Sequence, residues 1–232
     1  PYRFNFIVDP DTTVDGFFAH EVQDVVPEAI SGEKDGEEMQ GVDYSKIVPI
    51  LVKAIQELEQ KVSDFFGSPY AVAVDCCTHG IELCLRVLDE GDATFDYQYT
   101  CPKWTYLSVP MTFEKLNLEW NFTDEKWADY YLIGNTNIYD AAVLWEKNSY
   151  IPSTMMCVSF QLKKHLSLGK GGVILLDNAE DADILRQIRY DGRPQLEAPW
   201  ADQNIQLFGY HYQMTYETAQ LGVGKFSEAI YR

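Results

Sequence analysis

The pattern of apolar and polar positions changes character near Gly67. Before that point, the first forty residues form short apolar runs at 4–8 and 16–19, with the turn formers 9–11 between them. Such runs are typical of strands and turns. The polar run 31–38 predicts a mobile, solvated loop.

A heptad pattern follows, in which apolar residues alternate at spacings of four and three. Its members are Tyr44, Val48, Leu51, Ile55, Leu58, Val62 and Phe65. Pro49 falls near the first turn, where a helix tolerates proline. The seam covers only about three heptads, so it fits an oligomeric stalk or a helix that packs on its own domain. We favour the stalk.

After Gly67, continuous apolar runs of strand length alternate with stretches of helical spacing. The predicted strands are 70–74, 155–160 and 173–176, and the predicted helices are 79–88 and 179–190. Asp177 and Asn178 supply the caps of the second helix. Buried strands alternating with helices predict an α/β fold with a mostly parallel sheet, preceded by a small N-terminal segment of strands and one long helix.

Composition narrows the function. The 232 residues are 46% hydrophobic, which is enough for a buried core, and 18 Lys and Arg against 36 Asp and Glu give a net charge of −18. This charge argues against binding nucleic acid or an anionic membrane. We find no signal peptide and no apolar run that could span a bilayer, so we expect a soluble, intracellular protein. Because residue 1 is Pro, we expect a processed chain or a piece of a longer one.

The five cysteines are an odd number and lack the spacing of zinc ligands. We therefore expect five thiols, with no disulfide framework and no metal site.

One stretch has the chemistry of an anion site. Residues 74–80 lie between a predicted strand and a predicted helix, where free backbone N–H groups and the helix dipole favour a phosphate. Pyridoxal phosphate also needs an amine for a Schiff base, an acid beside its ring nitrogen and an aromatic face. The second half of the chain offers a candidate for each.

Five segments, in order, resemble the DegT/StrS-type sugar aminotransferases. They are 65–78 (FFGSPYAVAVDCCT), 102–106 (PKWTY), 138–142 (IYDAA), 159–172 (SFQLKKHLSLGKGG) and 209–215 (GYHYQMT), and the resemblance covers about 62–225. It implies the large domain of an aspartate-aminotransferase-type enzyme, with pyridoxal 5'-phosphate as cofactor.

The resemblance also implies roles for single residues. Lys164 matches the lysine that forms the Schiff base, and Asp140 matches the aspartate at the pyridine nitrogen. Tyr106 matches the aromatic residue that stacks on the ring. The implied phosphate contacts are Cys77, Thr78, Ser159 and, toward the partner subunit, His211.

Several positions depart from the family pattern. Val143 stands where Gln or His often contacts the ring's phenolic oxygen, and it can donate no hydrogen bond. His211 stands where the family usually has Asn, and Gln213 stands where it usually has Arg. The stretch between Tyr106 and Asp140 is short, and the family continues into a small C-terminal domain. A compact or degenerate active site is therefore an alternative to a working one.

The N-terminal residues resemble a different family. Segments 16–28 and 41–58 resemble the intramolecular chaperone domain of phage tail spikes and fibres, which trimerises and cuts itself free with a serine upstream. His20 stands where that family usually has Gln. The self-cleaving serine would lie before Pro1, so we assign no residue of this chain as its nucleophile. We predict a chaperone-like segment at 1–61, ending in the heptad helix, and an aminotransferase-like domain at 62–232.

Together these observations predict an enzyme that moves an amino group from a small donor to a nucleotide-linked keto sugar. The alternative is a phage tail-fibre or assembly protein without catalysis. We expect a homo-oligomer, a dimer from the enzyme half or a trimer from the chaperone-like half. The expected location is the cytoplasm of a bacterium or a phage-infected cell, with virion association as the alternative.

Overall fold

A computed structural model describes residues 2–6, 9–16, 18–37, 39–43, 46, 48–91, 96–194 and 200–231. The chain divides into two compact units, Pro1–Lys53 and Ala54–Arg232. The helices are α1 (Ala19–Gln23), α2 (Val48–Phe66), α3 (Cys77–Gly91), α4 (Ser108–Lys115), α5 (Ala179–Ile188) and α6 (Tyr216–Ile230). The strands are β1 (Tyr2–Phe6), β2 (Asp9–Gly16), β3 (Ile30–Ser31), β4 (Gly41–Val42), β5 (Tyr70–Val74), β6 (Tyr99–Pro102), β7 (Trp120–Thr123), β8 (Tyr131–Leu132), β9 (Ile138–Asp140), β10 (Met155–Ser159) and β11 (Gly172–Leu176).

The first unit contains two small antiparallel pairs, β1 with β2 and β3 with β4. The predicted turn at 9–11 is wrong, because Asp9 already pairs with Phe6 and opens β2. Residues 7, 8 and 17 lie outside the described part of the chain. The stretch 31–37 is exposed, as expected of a solvated loop. A helix was not predicted at Ala19, where the Phe18 carbonyl accepts N–H groups from Glu21 and Val22 and starts α1.

A five-stranded sheet of order β5-β11-β10-β9-β8 forms the centre of the second unit. The prediction of a mostly parallel sheet is wrong: β10 and β9 run parallel, whereas β5 with β11, β11 with β10, and β8 with β9 are antiparallel. The cause is the connections. Loop 160–171 joins β10 to β11 without a helix, and loop 133–137 joins β8 to β9, so the chain reverses directly at both places. The α/β class itself is confirmed.

The heptad seam is buried within its own unit over the part of α2 from Ala54 onward. Ile55, Leu58, Val62 and Phe65 lie in a core with strand residues such as Met156. For these residues the expected stalk is wrong, since the apolar stripe has found its partner in the same chain. Tyr44 lies outside the described residues, as do the side chains of Val48 and Leu51.

Other local predictions are confirmed. The three predicted buried strands correspond to β5, β10 and β11, and nearly all of their residues are buried. Asn178 caps α5 by accepting hydrogen bonds from the N–H groups of Glu180 and Asp181.

A buried ion pair ties α2 to α5 and β5. Arg189 Nη1 donates to Glu59 Oε1 at 2.6 Å and to the Ala73 carbonyl, while the Ala73 N–H donates to Glu59 Oε1 at 2.8 Å. Arg189 is 4% and Glu59 8% exposed. Arg186 Nε lies 3.8 Å from Glu59 Oε2 as a weaker second partner, so removing Glu59 would leave the buried Arg189 charge without its carboxylate, and the pair fixes how α2 and α5 lie against the sheet.

Within the described ranges, no helix has both the length and the apolar character that crossing a membrane requires.

Candidate active site

The start of α3 forms one side of the candidate site. Strand β5 ends at Val74 and α3 begins at Cys77, so the turn between them is only Asp75 and Cys76. The first turn of a helix carries N–H groups that no intrahelical carbonyl accepts, and these favour a bound anion. Thr78 Oγ1 lies 2.7 Å from Ser108 Oγ at the start of α4, which adds two hydroxyls to this region.

Gly172 and Ser159 bring the ends of two strands to the same place. Ser159 pairs with Gly172 across β10 and β11. A Cβ on Gly172 would lie 2.7 Å from the Cys77 backbone nitrogen, so the two backbones touch and only glycine fits. Ser159 is buried, and its Oγ accepts a hydrogen bond from the Gln161 N–H. The expected phosphate contacts Cys77, Thr78 and Ser159 therefore lie at one edge of the sheet.

Asp140 ends β9 and is only 5% exposed. Its Oδ2 accepts the hydroxyl of Tyr131 at 2.7 Å, and its Oδ1 accepts the Ala142 N–H at 3.0 Å. Burial raises the pKa of this carboxyl above its usual value, against the opposing effects of the Tyr131 and Ala142 hydrogen bonds and the Lys164 charge. A carboxylate can accept more than these two bonds, so capacity for a further donor remains.

Lys164 lies on loop 160–171, half-buried. Both ends of this loop are fixed at Phe160, whose N–H donates to the Gly171 carbonyl and whose carbonyl accepts the Leu168 N–H. The ammonium lies near enough to lower the pKa of both Asp140 and Cys77, although burial outweighs it at each. The structure thus brings together Lys164, Asp140 and the beginning of α3.

Tyr106 and His211 do not join this group through any contact among the described residues. Tyr106 is 77% exposed in the turn between β6 and α4. The His211 side chain is also 77% exposed, and its Nδ1 lies 3.1 Å from Asp191 Oδ2. Val143 is exposed as well, so the site gains no donor at this position.

Sequence reasoning missed a charged cluster in the first turn of α3. His79 Nδ1 lies 2.6 Å from Asp75 Oδ1, and Lys170 Nζ donates to Asp75 Oδ2 at 2.7 Å. Burial would lower the pKa of His79, but hydrogen bonds with Asp75 and Cys76 raise it to about 9. Burial would raise the pKa of Asp75, but His79 and Lys170 hold it below its usual value. An Asp four residues before a His at a helix start was the available signal.

Tyr212 covers His79 from the other side. Their rings stack at 3.7 Å between centroids, and the Asp75 N–H donates to the Tyr212 carbonyl at 2.8 Å. Segment 209–215, the last of the five that resemble the family, is thereby held against the start of α3.

Asp75, Cys76 and His79 offer ligand atoms within 4.8 Å of one another. The Asp75 carboxylate already pairs with two cationic groups, so a metal ion would have to displace both Lys170 and the His79 proton. We assign no metal to this trio.

Tyr131 and Thr105 were also missed. Thr105 Oγ1 hydrogen-bonds Tyr131 Oη, which in turn donates to Asp140, so two hydroxyls lead to the carboxylate. The sequence around Tyr131 shows no motif that would have indicated this contact.

Comparison with known proteins decides the family. The DegT/DnrJ/EryC1/StrS aminotransferase family matches residues 30–136 and 151–229, which is most of the chain. The chain belongs to this family. Its aminotransferases depend on pyridoxal phosphate, as the sequence resemblance implied. The match begins at residue 30, inside the segment that resembles a phage chaperone, and that second resemblance gains no support from the comparisons.

Solved structures share the fold. AtS13 from Actinomadura melliaura is 18% identical, with a TM-score of 0.64, over 77% of this chain and 61% of that one. The sugar aminotransferase CalS13 from Micromonospora echinospora is 14% identical, with a TM-score of 0.62, over 81% and 66%. The PLP form of Spr1654 from Streptococcus pneumoniae is 16% identical, with a TM-score of 0.62, over 76% and 59%. This chain therefore spans about three fifths of such proteins. No curated protein matches the sequence significantly.

The residues present fit the family's cofactor. An amine, a buried carboxylate with spare acceptor capacity and a helix start suited to phosphate occur together, on Lys164, Asp140 and α3. These would hold the aldehyde, the ring nitrogen and the phosphate respectively.

Proposed function

We propose that this chain binds pyridoxal phosphate and transfers an amino group from a small amino acid, typically glutamate in this family, to a nucleotide-linked keto sugar. The proposal is supported by one observation above all. Lys164 lies near enough to the Asp140 carboxyl to lower its pKa, although one is on a loop, the other ends a strand, and they are 24 positions apart in sequence. The likeness to CalS13, a sugar aminotransferase, supports the sugar as acceptor.

Each residue has a separate task in this proposal. The bound cofactor supplies an electrophilic aldehyde and an electron-withdrawing ring. Lys164 Nζ would hold the aldehyde end, and the same amine would take the proton that leaves the donor's α-carbon and give one to the sugar carbon. Asp140 keeps the ring nitrogen protonated, since a carboxylate there favours the cation. The first turn of α3, with Thr78 and Ser159, holds the phosphate.

Tyr106 and His211 have their expected tasks at the edge of the site. Tyr106 would stack on the cofactor ring, and its exposure leaves its face free to do so. His211 reaches the phosphate of the partner subunit, which agrees with its exposure in the single chain. This part of the proposal requires a homodimer, the usual assembly of the family's enzymes. We expect the enzyme to work in the cytoplasm.

A non-catalytic role is the second candidate. Val143, exposed where a hydrogen-bond donor is usual, favours it, as do the replacements at His211 and Gln213. In that case the chain would be an assembly protein of a phage particle, and the segment 1–61 would act in trimerisation.

Reductive trapping tests the first candidate. Purified protein is incubated with pyridoxal phosphate, reduced with borohydride, digested and analysed by mass spectrometry. We expect a cofactor-modified peptide with the label on Lys164. Lys163→Ala is the matched control, because it removes a neighbouring amine and should leave the adduct in place, whereas Lys164→Ala should abolish it. A folded protein without an adduct, or with the label on Lys163, contradicts the proposal.

Mass in solution separates the two assemblies. Light scattering at micromolar concentration should give twice the chain mass of 26.6 kDa for the enzyme. Three chains together with no trapped cofactor would support the assembly role instead.

A further inference from the structure

Tyr131 is held in a way that a core tyrosine does not need. It is 2% exposed, so its hydroxyl needs one partner to offset burial. It has two, since it donates to Asp140 Oδ2 at 2.7 Å and hydrogen-bonds Thr105 Oγ1.

Strand β8 places the side chain of Tyr131 opposite that of Asp140. This strand has only two residues and pairs antiparallel with β9, so that Tyr131 faces Asp140 and Leu132 faces Tyr139. Directly opposed residues lie on the same face of the sheet. β8 is the edge strand of this sheet, and its pairing with β9 places the Tyr131 phenol beside the Asp140 carboxylate.

The surroundings of Asp140 make that contact matter. Burial disfavours its charged form, and the groups that interact with it electrostatically come from several elements. They are Tyr131 from β8, Cys101 from β6, Cys77 from α3, Cys157 from β10 and Lys164 from its loop. The thiols give little help while neutral. The hydrogen bonds from Tyr131 and the Ala142 N–H and the charge of Lys164 favour the carboxylate.

We infer that Tyr131, fixed by Thr105, is a positioning residue that sets the orientation and the negative charge of the Asp140 carboxylate. Thr105 donates to the phenol oxygen, which strengthens the phenol as a donor toward Asp140. This inference rests on the proposed function for the use of Asp140, but the contact itself can be tested in protein without cofactor.

The test is a carbon-13 NMR titration of the Asp side-chain carboxyls in cofactor-free protein, with the Asp140 signal identified by its loss in Asp140→Asn. In Tyr131→Phe we expect the titration midpoint of Asp140 to rise by about one pH unit, the size of one hydrogen bond to a charged group. Tyr139→Phe is the matched control, because it removes a phenol from the neighbouring position, which pairs with Leu132 rather than facing Asp140.

A second variant guards against a folding failure. Thr105→Val removes a hydroxyl from a half-buried turn residue. We expect the titration midpoint of Asp140 to rise by a few tenths of a pH unit, because the Tyr131 phenol loses its hydrogen bond from Thr105 and becomes a weaker donor. If circular dichroism shows that Tyr131→Phe is not folded, the test rests on Thr105→Val, in which a higher titration midpoint of Asp140 supports the inference. An unchanged midpoint in the folded variants overturns the inference.

Cofactor binding gives a separate readout. Equilibrium dialysis should show pyridoxal phosphate held about tenfold more weakly by Tyr131→Phe than by wild type and Tyr139→Phe, the ratio that corresponds to one hydrogen bond. Equal affinity in all three would count against a role of Tyr131 at the site. If wild type itself binds no cofactor, the proposed function fails, whereas the NMR result on Tyr131 and Asp140 still stands.

Discussion

Asp75 follows the end of β5 and Asp140 ends β9, two strands of one sheet, and their surroundings shift the pKa values of the two carboxyls in opposite directions. Asp75 is half-buried and pairs with His79 and Lys170, so its pKa lies below the usual value. Asp140 is almost fully buried, and its pKa is raised by that burial despite the hydroxyl of Tyr131 and the charge of Lys164.

The difference shows which carboxylate depends on its neighbours. Two full cations neutralise Asp75, and water can replace part of their effect. Asp140 is kept from water, so its charge depends on a few hydrogen bonds and on what binds beside it. A cationic ring nitrogen would give Asp140 the positive partner that no described residue supplies in direct contact, whereas Asp75 already has two, His79 and Lys170.

The largest expected effect separates these two residues directly. Asp140→Asn should lower the rate of amino transfer on the order of 10²–10⁴-fold, because an amide cannot hold the ring nitrogen protonated. Asp75→Asn should lower it by less than about tenfold, as expected for loss of a partly exposed pair. Transfer from glutamate to a keto-sugar acceptor measures both. Equal losses would mean that the two carboxylates share one role.

The close contact between β11 and the start of α3, beside Asp75, can be broken at Gly172. Gly172→Ala would put a Cβ against the backbone of Cys76 and Cys77, which cannot yield as a side chain can. We expect the free energy of unfolding to fall by about 1–3 kcal/mol, as for other overpacked positions. Urea unfolding measures it. Gly224→Ala is the control, since nothing lies within 4 Å of its added Cβ and alanine favours helix α6. A stable Gly172→Ala protein would contradict the close contact.

The His79–Asp75 pair predicts a dependence of stability on pH. Since the pKa of folded His79 is about 9 and that of an unfolded His about 6.5, the contribution is complete below pH 6.5 and is lost as the pH rises to 9. We expect a loss of about 1–2 kcal/mol over that window, measured by urea unfolding at several pH values. His79→Gln should flatten the curve, while His211→Gln, at an exposed histidine, should not. Parallel curves for wild type and His79→Gln would exclude the pair as the source.

The smallest effect is expected at Lys170. Its side chain is 68% exposed, so Lys170→Met should cost less than about 1 kcal/mol of unfolding free energy at neutral pH, and less still in high salt. Urea unfolding at two salt concentrations measures this. A large, salt-independent loss would show that Asp75 is more isolated from water than its exposure indicates.

The sequence predicted what depends on neighbours along the chain. The strands β5, β10 and β11 and the Asn178 cap follow from local pattern, whereas the roles of Lys164 and Asp140 come from resemblance to a family and stay a prediction. The direction of the strands was not predicted. Gly169 and Gly171 in loop 160–171 signal a turn, but they do not show whether the chain then reverses directly or crosses over through a helix. The heptad seam did not show which surface would cover it. Tyr131 was missed because its role exists only through pairing of β8 with β9.

Loop 160–171, finally, has its two ends joined through the hydrogen bonds of Phe160, and its own side chains Leu166 and Leu168 are buried. Lys164 therefore lies on a backbone loop that hydrogen bonds close on both sides of it. Exchange of the amide hydrogens of Phe160 and Leu168 with solvent should be slow compared with that of exposed Leu162 and Lys163 at the crest. The Lys164 amine then moves by rotation within its own methylene chain. Strands β10 and β11 need not shift for the amine to approach Asp140 or to move away from it.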